Sequence, residues 1–280
     1  MIATATALAG AIKGIRAVRA LSSAHRSKLL GIALLSLAVL LAVAALPPIP
    51  QPGAYHDFAD QRTVLGVPHA LNVGSSMGFL IVGVIGLRRL SKSAASFADA
   101  RERWPYAVFF ASLGGVGFGS AYYHLAPSHG SLFWDRLPMS LAFMSLFSAV
   151  LVERLGLRVG LRLFPWLAVA GPFSVVYWVL SERAGVGDLR LYGLVHFYQM
   201  LLIPLLLWLF APRYTRGGDW LWVLALYAAA LAAERLDHQV FAAGGWVSGH
   251  TVKHVLAAVA AAWLSRMLRL RSPTFAESEP

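Results

Sequence analysis

Long apolar runs, separated by short polar stretches, dominate the chain. Eight of them stand out, at 29–46, 69–87, 105–125, 132–152, 163–181, 191–211, 219–238 and 248–268. Each approaches the roughly 20 residues a helix needs to cross the hydrocarbon core of a bilayer. The apolar–polar alternation of a transmembrane barrel is absent. The pattern therefore predicts an all-α, multi-pass transmembrane helix bundle. It has a seven-helix core at 69–268 and one extra N-terminal helix at 29–46, followed by an external polar loop at 47–68. Residues 1–28 read as a basic cytoplasmic tail, with Lys13, Arg16, Arg19, Arg26 and Lys28 and no acid. The run at 29–46 ends in Pro-Pro-Ile-Pro and exceeds the roughly 7–15 apolar residues of a signal peptide, so it reads as a retained helix. Residues 269–280 form a second cytoplasmic tail.

Composition agrees with the pattern. Hydrophobic residues make up 58% and charged residues 13%, against about 25% charged in soluble domains. No room is left for a separate soluble domain. The net charge of +11 is spread over alternate loops. Arg88, Arg89, Lys92, Arg101 and Arg103 form one group, followed by Arg154, Arg158 and Arg162, then Arg213 and Arg216, then Arg266, Arg269 and Arg271. The intervening loops are balanced. Basic loops stay cytoplasmic, so both termini are expected on that side. The scattering also argues against nucleic-acid binding, which needs one continuous basic face. The chain has no cysteine, which excludes disulfides and thiol catalysis.

Polar residues inside the apolar segments carry the candidate chemistry, because such groups are costly there and usually functional. The stretch at 117–139 reads GFGSAYYHLAPSHGSLFWDRLPM. Ser120 and His124 share one helix face, being four apart. After a Pro/Gly loop, Asp135 opens the next segment and can point back at His124. His250 and His254, in HTVKH, again share a face. The topology places all of them in the non-cytoplasmic halves of their helices. Three imidazoles from two helices make a plausible catalytic Zn2+ site with a position open for water. Plainer readings exist for each residue. A buried histidine often only packs, Asp135 suits a helix N-terminus or pairing with Arg136, and Ser120 can bond back to a carbonyl one turn earlier. Gly114, Gly115, Gly117 and Gly119 suit close helix packing and leave room for an acyl chain. His129 reads as a solvated loop residue and His196 as structural. Glu234, Asp237 and His238 fall on one face of the seventh segment. Lys253 lies off the face shared by His250 and His254 and needs an acid, with Glu234 or Asp237 as the candidates.

The set Ser-x3-His-x10-Asp-Arg-Leu-Pro-Met with a late His-x3-His resembles the alkaline ceramidase family, part of the CREST superfamily of seven-helix membrane hydrolases. The resemblance runs over 57–268. It implies zinc held by His124, His250 and His254, with Asp135 against the metal's water and Ser120 holding the water or the developing oxyanion. It also implies hydrolysis of the amide bond of ceramide-type lipids drawn from the bilayer. The family core lacks the extra leading helix. The family also carries an outer calcium site, to which Asp57 and Asp60 correspond. Here Arg62 stands in place of an asparagine and His69 near the expected further acid, so a complete Ca2+ shell is not expected. Asn72-Val-Gly-Ser75 resembles the family's Asn-Thr-Ile-Ser.

The sequence thus reads as a zinc-dependent amidohydrolase of linear lipid amides. A lipid esterase would use nearly the same site. A receptor or scaffold holding zinc for structure would be expected to use four protein ligands. A solute transporter would place more acids within its spans.

Overall fold

A computed structural model of the chain describes residues 23–92 and 96–274. The expected tails are therefore covered only in part, and residues 1–22 and 275–280 lie outside the described residues. The chain divides into two units, Met1–Pro47 and Pro48–Pro280. In the first unit the described residues form one helix, α1 (Ser23–Ala45). The hydroxyls of Ser27 and Ser36 bond back to carbonyls four residues earlier, which satisfies them within an apolar helix.

The second unit is all-helical, with no strand among the described residues. Its α-helices are α2 (Ala70–Lys92), α3 (Arg103–Leu125), α4 (His129–Leu155), α5 (Leu157–Arg183), α6 (Arg190–Leu209), α7 (Asp219–Arg235), α8 (Asp237–Gly244) and α9 (Gly249–Leu270). Helix α3 packs between α2 and α4, α4 also meets α5 and α6, and α9 packs against α2 and α7. Most helices outrun the apolar segments that predicted them, because basic and polar residues such as Arg88, Arg89 and Lys92 extend the last turns.

Among the described residues five helices, α1, α2, α4, α5 and α6, are long and apolar enough to cross a membrane, so this is an integral membrane protein. The other long helices fall short of that measure for visible reasons. Helix α7 has 17 residues, α3 is diluted by glycine, serine and tyrosine, and α9 carries His250, Lys253, His254, Arg266 and Arg269.

The seventh expected segment, 219–238, is not one helix. It breaks at Leu236 (φ −100°, ψ 24°), and α8 starts at Asp237. The break frees the Asp237 carboxylate for distant backbone donors. Its Oδ2 accepts from Ala59 N at 2.9 Å and its Oδ1 from His250 N at 2.7 Å. Gly245, at φ 68°, then ends α8 in the left-handed region that glycine adopts without strain.

Two glycines set the approach of the site-bearing helices. A Cβ on Gly119 would collide with the Trp134 carbonyl, so α3 meets the start of α4 backbone to backbone beside Ser120 and Asp135. A Cβ on Gly249 would collide with the Ala233 carbonyl, which brings His250 close under α7. Gly115 likewise faces Pro138 and Gly117 faces Leu80. Gly115, Gly117 and Gly119 are thus spent on helix contact.

Candidate metal centre

His124 closes α3, and His250 and His254 open α9. Serines cap the start of α9 and the start of α4, which follows His124. Ser248 caps α9 by accepting from Thr251 N at 3.2 Å, and Ser128 caps α4 through Ser131 N at 3.1 Å. Asn72, fully buried on α2, locks the start of α9 in place, because its Oδ1 accepts from Thr251 Oγ1 at 2.6 Å.

The three histidines converge. Each can offer one ring nitrogen so that all three lie within 4.8 Å of one another. Their ring centroids stand 4.7–5.1 Å apart. All are buried, and both His124 nitrogens lack a hydrogen-bond partner among the described residues. An imidazole buried with both nitrogens unpaired is costly unless something completes it. Three neutral imidazoles aimed at one point can hold a metal ion.

Around the triad the expected residues fall into place unevenly. Ser120 accepts a hydrogen bond from Ser76 Oγ at 3.1 Å and faces the Asp135 carboxylate. Asp135 is half-buried, and the charges of Lys253, Arg136 and Glu234 act on it. Among the described residues Arg136 forms no ion pair with Asp135. Its guanidinium lies over the rings of Trp178, Tyr192 and Tyr55 at 4.5, 4.6 and 5.0 Å. Lys253 pairs with Glu234, as one of the two expected acids, and the same carboxylate lies 4.0 Å from His250 Nδ1. Asp237 is the other acid, and it binds backbone amides instead.

The loop before α2 is not an open calcium cup. Arg62 grips Asp60 with Nε on Oδ1 and Nη2 on Oδ2, both at 2.7 Å. The same guanidinium donates to the carbonyls of Gly245 and Trp246. This fork holds the Asp60 carboxyl below the usual carboxylate range. Asp57 is exposed and meets Gln61 and His238. His69 Nδ1 bonds the His124 carbonyl at 2.9 Å. Asp57, Asp60 and His69 are therefore engaged by the protein's own groups, with the Arg62 guanidinium on the Asp60 carboxylate.

Three features had no clear signal in the sequence. Phe58 covers the triad, its ring meeting those of His124 and His250 edge to face at 4.7 Å each. Ser75 reaches His254 Nδ1 at 2.9 Å. The serine pair one turn after Asn72, inside an apolar segment, was the readable hint of it. His129, expected in a solvated loop, opens α4 half-buried and bonds His56 Nε2 at 2.8 Å, while His56 Nδ1 bonds Tyr123 Oη at 2.8 Å. His196 packs among Phe143, Tyr192 and Tyr227 and bonds Tyr227 Oη, which fits a structural role.

No protein-family model matches this chain, and no curated protein matches it either.

Proposed function

We propose that this protein is a zinc-dependent membrane hydrolase that cleaves the amide bond of a ceramide-type lipid, giving a fatty acid and a sphingoid base. The observation that carries the reading is the buried triad of His124, His250 and His254 beside Asp135 and Ser120. Three imidazoles leave one position of a tetrahedral ion for water, which is how catalytic zinc sites differ from closed structural ones. When bound, zinc would supply a Lewis acid for the carbonyl and lower the pKa of its water. The choice of a lipid amide over other substrates rests on the motif resemblance to alkaline ceramidases.

The chain's own residues then have distinct tasks. Asp135 accepts the proton of the attacking water and returns it to the leaving amine. Ser120, held by Ser76, donates a hydrogen bond to the oxygen where negative charge develops. Phe58 covers the histidines and keeps bulk water from them. Glu234 neutralises Lys253, whose charge would otherwise oppose a cation at the triad.

The test is a metal assay joined to a substrate panel. Purified protein should carry one equivalent of zinc, lost in His124→Ala and His250→Ala, and should turn over ceramides faster than acyl esters or phospholipids. Faster ester cleavage would make it a lipid esterase. Intact lipids with zinc bound would make it a receptor or scaffold.

A further inference from the structure

The other end of α4 holds a second concentration of buried charge. Arg154 lies nineteen residues beyond Asp135, about 28 Å along the helix axis. It lines a small cleft open to the surface, together with Glu153, Tyr214, Arg216, Gly217 and Arg271. The loop at this mouth is fixed to the chain after α9, because Thr215 N bonds the Ser272 carbonyl and Thr274 N bonds that of Arg213, both at 2.9 Å.

The charges in the cleft do not balance. Glu153 accepts from Tyr106 and Arg271 on Oε1 and from Trp220 Nε1 at 3.3 Å on Oε2. Arg216 is paired with Asp219 at 2.6 Å. Arg154 is left over. Among the described residues its guanidinium makes one hydrogen bond, from Nη1 to the Phe210 carbonyl at 2.9 Å, and no ion pair. It is only 8% exposed, and Arg271 only 3%. Arg154 Nε, with Nε and Nη2 of Arg271, is buried without an acceptor. Gly217 lies against the guanidinium, and a Cβ there would stand 3.5 Å from Arg154 Nη2.

Two buried guanidiniums share one carboxylate here, Glu153, which Arg271 occupies, and the acceptor their unpaired N–H groups lack has a definite chemistry. Planar guanidinium forks suit the oxygens of phosphate, which accept several N–H donors at once. We infer that this cleft binds a phosphate-type oxyanion through Arg154 and Arg271, at a site separate from the histidine triad. The phosphate is either the headgroup of an anionic phospholipid or a free phosphate. The inference does not depend on the hydrolase reading.

Two titrations of the full chain in detergent separate these sources. One follows Tm against inorganic phosphate, with chloride at matched ionic strength as the control. The other uses mixed micelles of phosphatidic acid against phosphatidylcholine alone. One of the two ligands should raise Tm saturably, with an apparent Kd weakened at least about tenfold in Arg154→Gln. Without ligand, Arg154→Gln should be no less stable than the parent, because it removes an uncompensated charge. A merely structural arginine would give the opposite result. Gly217→Leu keeps the arginine but fills the mouth, so it should also lose binding, and it decides the matter if Arg154→Gln does not fold. A response to phosphate identifies free phosphate, and a response to phosphatidic acid alone identifies a headgroup. No response to either, or equal responses in parent and variants, overturns the inference.

Discussion

Ser75 Oγ lies 2.9 Å from His254 Nδ1. The serine's own hydrogen is directed to the Asn72 carbonyl, 3.1 Å away. With that hydrogen on the carbonyl, the serine oxygen accepts from a ring protonated on Nδ1, the tautomer that leaves Nε2 for a metal. Hydrogen bonds of this kind orient ligating histidines and commonly account for about 10–100-fold in metal affinity. Ser75→Ala should weaken zinc binding by that factor, read by competition with a chromophoric chelator. Ser75→Thr, which keeps the hydroxyl, should restore it. Equal affinity in all three proteins would leave His254 without this orienting partner.

Asp135 and Ser120 are separable by metal content. Asp135→Asn should keep its zinc and lose most of its turnover, since an amide cannot accept and return a proton. Ser120→Ala should cost less, about 10²–10³-fold, the usual loss for one oxyanion-type donor. The readout is kcat with zinc measured on the same sample. A zinc-free Asp135→Asn protein would recast Asp135 as a ligand.

Arg62 latches the loop that carries Phe58. Removing it leaves Asp60, 2% exposed, without its partner. Arg62→Ala should lower stability by about 1–3 kcal/mol, seen as a fall in Tm, and should speed zinc loss to a chelator as Phe58 loosens. Calcium added to the wild type should leave Tm unchanged, because Arg62 already occupies the Asp60 carboxylate. A calcium-dependent rise in Tm would show that other oxygens complete a site.

His56 links this loop to Tyr123 and His129. Burial first, then the neighbouring His129 and Arg136, hold its pKa below the usual histidine value. Its neutral form is thus the one the fold favours. The unfolded chain takes up the proton first, near pH 6.5, so the stability is present above that pH. It is lost as pH falls toward the lower folded value. Tm should decline with acidification through this window, and His56→Gln should flatten the decline. An unchanged slope in the variant would move the effect to another group.

Much of this protein was readable from its residues. The apolar segments foretold an all-helical bundle, because lipid leaves the backbone only helix or closed barrel and the alternation of a barrel is absent. His124, His250 and His254 were visible because ionisable groups are rare in such runs. The pairing of Lys253 with an acid followed from charge alone, although the sequence could not choose between Glu234 and Asp237.

Tertiary structure made that choice, by breaking the chain at Leu236 so that Asp237 serves the amides of Ala59 and His250. It also placed Phe58 over the triad and Ser75 behind His254, and turned Arg62 into the cation of its own loop. Each of these contacts joins residues far apart in the chain, and local periodicity carries no record of such distances. The sequence alone determined which residues are apolar enough to lie in helices and which polar groups must find partners among them. Which partner each one found depended on how closely the backbones approach at Gly119 and Gly249, and that is a property of the packed bundle.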